Sequence, residues 1–128
     1  MQIKVEKLSG AALDWAVAMF LELTIRIHTR DDGFTKYIKA FYPLIGWEEF
    51  SPSTNWAFGG PLKDDYGITS GPHNTSPSIA HLGTALMTYP WAHRYVGRTQ
   101  LIASMRCLVG TQVGDFIEIP EELVNTEI

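Results

Sequence analysis

The sequence predicts an α+β fold, a single small domain in which mostly antiparallel sheet packs against two main helices. Three observations lead there. Two stretches, starting at Gly10 and near Thr99, carry apolar residues at helical spacing. Several short runs alternate apolar with polar side chains and end at glycine, proline or an aspartate pair. The length, 128 residues, supports one core rather than two independent ones.

Ile3 and Val5 alternate with Lys4 and Glu6, the period of a strand with one buried face. Ser9 is a suitable helix N-cap, and Leu8 and Leu13 are spaced to form a hydrophobic staple across the helix entrance. Leu13, Ala16, Val17 and Phe20 carry the first helix from residue 10 to about 22. No Gly or Pro marks its end, so a helix running on to Arg30 competes with a strand over Leu23 to Thr29, which the β-branched alternation favours. Asp31, Asp32 and Gly33 form a hairpin turn, and Phe34 to Tyr42 is the return strand, ended by Pro43.

The segment SPSTNWAFGGP, Ser51 to Pro61, is poor material for a helix or a strand and is expected to be a loop. Leu62 to Tyr66 makes at most one helical turn, and Ser70 to Ser78 is a polar loop. Ala80 to Val96 holds one or two short strands, with the Tyr89-Pro90 step at an edge or bend. Thr99 caps the second helix, whose apolar face is Leu101, Ile102, Met105, Leu108 and Val109; Gly110 or Gly114 ends it. Ile117 and Ile119 belong to a closing strand stopped by Pro120.

Composition excludes some functions. Hydrophobic residues make up 45% and charged residues 19%, and no apolar run approaches the roughly 20 residues that span a bilayer. The net charge of -4 argues against a partner that is a long nucleic acid, although a local basic patch is compatible with it. Cys107 is the only cysteine, which rules out an internal disulfide and a cysteine-built zinc site, and its apolar neighbours mark it as a small hydrophobe rather than a nucleophile. The N-terminus lacks a signal peptide's apolar core, so a reducing cytoplasm is expected.

No catalytic or cofactor motif stands out. His28, His73, His81 and His93 match no short metal-ligand spacing, and no phosphate-binding glycine loop occurs. No cofactor is expected. Glu48, Glu49, Asp64 and Asp65 flank the Ser51 to Pro61 segment, either as hydrolase carboxylates or, on the simpler reading, as a solvated rim.

A binding constellation is more suggestive. Trp47 and Trp56 offer faces for a planar ring, Ser53, Thr54 and Asn55 offer polar groups to orient a small ligand, and Gly59 and Gly60 permit close backbone approach. The competing reading is a structural Ω-loop whose tryptophans plug the core. Arg98 and Thr99, at the second helix entrance, and Arg106, two turns on, can form an anion site or simply face solvent.

Three strings, LSGAALDWAVA, SPSTNWAFGGPL followed by YGI, and TQLIASMRCLVGTQVGDFIEIPEEL, together resemble the NinX-like family of small bacteriophage proteins. They come in the family's order and cover somewhat under half of the chain. Where the family pattern at the second helix resembles GPTPL this chain reads GRTQL, so nothing is carried over to Arg98 or Gln100. The resemblance implies a phage accessory protein in the bacterial host cytoplasm and supplies no chemistry. Joined to the binding constellation, it leads to an expected function as a nucleotide-binding protein that sequesters a small host signal. A protein-interaction module and a small nucleotide hydrolase are the alternatives, and a homodimer is left open.

Overall fold

The structure, a computed structural model, describes residues 1–71, 78–82 and 95–127. Its layers run sheet, helix, helix, sheet. The first helix, α1 (Gly10–Phe20), packs on one side against a sheet of β2 (Ile25–Thr29), β3 (Lys36–Tyr42) and β4 (Gly46–Glu49). On the other side it meets α3 (Gln100–Val113), which covers a second sheet of β5 (Ile68–Gly71), β6 (Ser78–Leu82) and β7 (Tyr95–Gly97). A short ribbon pairs β1 (Gln2–Lys4) with β8 (Phe116–Glu118), and all pairings are antiparallel. The α+β prediction therefore holds, but among the described residues the strands form three separate small sheets in place of one.

The core lies where α1 meets α3. Ala12, Leu13, Ala16 and Val17 bury against Met105, Leu108 and Val109, with Ile38 and Ala40 below and Leu123 of α4 (Glu121–Glu127) at the side. The alanines of α1 are small, which lets two helices and a sheet approach it closely.

α1 starts where expected, with Ser9 extended at the N-cap position and Leu8 and Leu13 both fully buried, but the Ser9 side chain makes no capping bond to the helix. Its end is set by Glu22, which adopts φ 58. The Glu22 amide donates to Met19 O and the Leu23 amide to Ala18 O, a Schellman closure built without glycine. That closure frees Ile25–Thr29 to be the strand and removes the longer-helix alternative. The turn after β2 is tied by the Asp32 carboxylate, which accepts from the Phe34 and Thr35 amides and the Thr35 hydroxyl, and these bonds hold it below its ordinary pKa. α3 begins at Thr99, whose hydroxyl accepts from the Ile102 amide, and Gly114 ends it at φ 86. Gly110 has another role: a Cβ there would lie 2.3 Å from the Tyr95 ring.

Several expectations are corrected. Val5–Lys7 is a 3-10 turn, so the first strand stops at Lys4. Ile119 lies beyond β8. The strand β4 and the helix α4 were not expected. Ser70, Gly71 and Ser78 belong to strands, while 72–77 and the Tyr89-Pro90 step lie outside the described residues. The largest correction is α2, a helix from Trp56 to Asp65 through the expected loop. It forms because Asn55 caps it and because packing outweighs the poor propensity of Gly59, Gly60 and Pro61. The Asn55 side chain accepts from the Ala57 amide at 2.9 Å, and its carbonyl from Phe58 and Gly59.

Candidate functional site

Between the start of α1, the β2–β3 turn end of the first sheet and the segment Ser51–Thr54 lies a cavity of about 250 Å³. Gly10 and Ala11 line it from α1, Ser51 and Thr54 from the segment before α2, and Arg30, Thr35, Lys36 and Tyr37 from the β2–β3 hairpin. Asp14 and Glu49 complete its charged lining. Two cations thus face two carboxylates, but at different depths. Asp14 is buried and accepts the Ser53 backbone N–H at 2.9 Å, whereas Arg30 and Glu49 are about half exposed.

Arg30 is held in place from two sides. Its guanidinium donates through both Nη atoms to the two Glu49 carboxylate oxygens, at 3.1 and 2.9 Å, and its Cζ lies 4.3 Å from the Tyr37 ring centre. The Glu49 bond also raises the Arg30 pKa above its ordinary value. Glu49 takes one N–H from each Nη, and the guanidinium's remaining N–H groups are those left for an anionic ligand. Neither Arg30 nor Lys36 was foreseen as a site residue. Their only sequence signal is that they flank the turn, since the sheet register and the return of Glu49 bring them to the cavity.

The expected site residues divide. Thr54 is exposed and lines the cavity. Ser53 is 1% exposed; its amide bonds Asp14 and its hydroxyl has no partner among the described residues, so it is enclosed next to the cavity without lining it. Asn55 is committed to capping α2. Gly59 is a packing contact, because a Cβ there would meet the Pro52 carbonyl oxygen at 2.4 Å and Leu101 Cδ2 at 2.5 Å, while at Gly60 the nearest atom is Trp56 Cε3 at 3.7 Å. Trp56 is 55% exposed, with the Lys63 ammonium 5.3 Å from its ring centre. Trp47 sits apart from it on β4, its ring edge-on to Phe41 and under the Arg26 guanidinium at 4.2 Å.

The α3 entrance is occupied. Thr99 caps the helix, and Gly97 packs so close to it that a Cβ there would lie 2.7 Å from the Ala103 amide nitrogen. Arg98 is exposed near Arg106. Arg106 donates from Nε to Leu8 O and from Nη1 to Val96 O, both at 2.7 Å. Burial lowers its pKa, the Glu6 charge opposes that and the Arg98 charge adds to it. Of the candidate carboxylates, Glu49 is ion-paired, and Asp64 and Asp65 are exposed at the end of α2. His73 and His93 lie outside the described residues, and among those described no group of three or more His, Cys, Asp or Glu is placed to hold a metal.

A second cavity, of about 280 Å³, lies beside Lys4, Glu6, Tyr95 and Asp115 and draws nothing from the Ser51–Pro61 segment. The smaller cavity is the better candidate because two of the three familiar strings meet there. A family model described as bacteriophage P22, NinX matches residues 4–112. The chain belongs to that family. No curated protein matches it. Within this NinX family member, the shared strings knit the fold: Asp14 of the first holds Ser53 of the second, and Arg106 of the third holds Leu8 of the first. Among the described residues no helix is long and apolar enough to cross a membrane.

Proposed function

We propose that this phage-family protein binds and sequesters a small nucleotide-derived molecule in the cavity at the β2–β3 turn end of the sheet, beside the start of α1. The observation that carries the reading is the meeting, in one cavity, of an arginine held by Glu49, a lysine, a tyrosine and the hydroxyl residues Ser51 and Thr54. Arg30 and Lys36 hold the phosphate, and the Ser51 and Thr54 hydroxyls bond ribose or base edges. At about 250 Å³ the space suits a ligand on the mononucleotide scale, or that portion of a larger one. Host antiphage signals of the cyclic nucleotide or cyclic ADP-ribose type belong to this class. Capture in the host cytoplasm lowers the free signal without turnover.

The test is to incubate the pure protein with a pool of such nucleotides, remove the unbound fraction, heat the protein and identify what is released. One intact species in near-equal amount to the protein is the expected result. Thr54→Val should reduce retention about tenfold with the fold unchanged by circular dichroism, the scale of losing one hydrogen bond to a charged or tightly held group. Altered nucleotide would indicate an enzyme instead, and no retention would overturn capture. The exposure of Trp56 favours a second reading, a contact surface for a protein partner, which a Trp56→Ala variant with unchanged nucleotide retention would leave standing.

A further inference from the structure

In an antiparallel sheet, residues directly opposite one another share a face. The register pairs Arg26 with Lys39, His28 with Tyr37, Lys39 with Glu49 and Phe41 with Trp47, so these residues stand on one side of the β2–β4 sheet. The alternate positions, Ile25, Ile27, Ile38 and Ala40, face α1 and the core. The outer side is open to solvent: Arg26, Arg30 and Phe41 are exposed, and His28, Tyr37, Lys39, Trp47 and Glu49 are half-exposed.

Its composition is unlike that of the whole chain. Among the described residues, Arg26, Arg30 and Lys39 stand against Glu49 on the sheet and Asp32 in the adjoining turn, a local excess of positive charge where the chain as a whole carries -4. Aromatic rings alternate with the cations, with Arg26 over Trp47 at 4.2 Å, Arg30 over Tyr37 at 4.3 Å, and Phe41 edge-on to Trp47. We propose that this face binds a short stretch of single-stranded nucleic acid. The cations suit the phosphates of a strand crossing the sheet, and the exposed Phe41 ring and the Arg26 plane, backed by Trp47, suit unpaired bases. An acidic protein would answer to the charges but leave the rings without a planar partner. Three strands about 4.8 Å apart and a β3 of seven residues offer a platform about 10 by 20 Å, enough for roughly three nucleotides.

The site is independent of the capture cavity except at Arg30, Tyr37 and Glu49, so its test uses residues outside the cavity. Fluorescence anisotropy with labelled dT12 and rU12 should show saturable binding at 50 mM salt. Three phosphate contacts predict that affinity falls about tenfold at 150 mM salt. The Arg26→Gln, Lys39→Gln double variant should lose at least about tenfold, and Trp47→Leu about the same, while both retain the small nucleotide as wild type does. Where Trp47→Leu fails to fold, the double variant decides. The stronger of the two probes identifies DNA or RNA as the source. Equal binding of a 12-base-pair duplex, preference for a poly-glutamate peptide, no binding of either strand at 50 mM salt, or an unaffected double variant would each overturn the proposal.

Discussion

Cys107 illustrates how a single residue can be read correctly from its neighbours. It sits in an apolar run, and in the fold it is fully buried in α3, where burial pushes its thiol up from 9.0 to about 12. The neutral thiol is the form the core accepts, so its contribution to stability is complete below pH 9 and is lost as pH rises toward 12. Stability measured by urea titration should therefore decline above pH 9 more steeply in the wild type than in Cys107→Ala, and a thiol reagent should label the native protein only after denaturant is added. Arg106 shows the opposite. Its type and helix position allowed a phosphate ligand, but the distance that matters, 2.7 Å to a carbonyl 98 residues away, is a property of the folded chain.

At the scale of elements, legibility followed the source of stability. α1 and α3 bury a regular apolar face and begin at residues of N-cap type, of which Thr99 does bond its helix, so both were visible from the sequence. α2 was not, because its residues are weak helix formers and what holds it is external: the Asn55 cap, Phe58 edge-on to Phe50, and Gly59 against Pro52 and Leu101. Adjacent glycines in this helix should respond with opposite signs. Gly60→Ala meets only ordinary contact at 3.7 Å, so the gain in helix propensity should stabilise the protein by up to about 1 kcal/mol. Gly59→Ala meets a backbone oxygen at 2.4 Å, and overpacking should outweigh propensity and cost about 1–3 kcal/mol. Thermal melts of the two variants check both signs. β4 and α4 escaped notice because a four-residue strand and a seven-residue helix are too short to establish a period.

The whole molecule is held by long-range ties between the strings that resemble the family. Arg106 links the turn before α1 to β7 through two fixed carbonyl bonds from one planar fork. Lysine cannot reproduce both, so Arg106→Lys should destabilise the fold by about 1–3 kcal/mol, seen as a lower melting temperature, and leave nucleotide retention per folded molecule unchanged. Of the expected binding residues, the fold brings only Thr54 to the cavity lining, with Ser53 enclosed beside it. Arg30, Lys36 and Tyr37, the cavity's cation and aromatic set, came from a hairpin that the sequence identified as structure and not as site.

The amino-acid sequence by itself determined the α+β class, the two main helices, the β2–β3 hairpin, the inert cysteine and the NinX family membership. Each rests on local periodicity, on a single turn or on a contiguous string. Only the tertiary structure decided that SPSTNWAFGGP is half segment and half helix, that Arg106 is a tie, and where the cations gather. The reason is the same in each case. A net charge of -4 is a sum over the chain, whereas the sign of a surface depends on which alternate residues a sheet register turns outward, and that register is set by contacts between residues far apart in sequence.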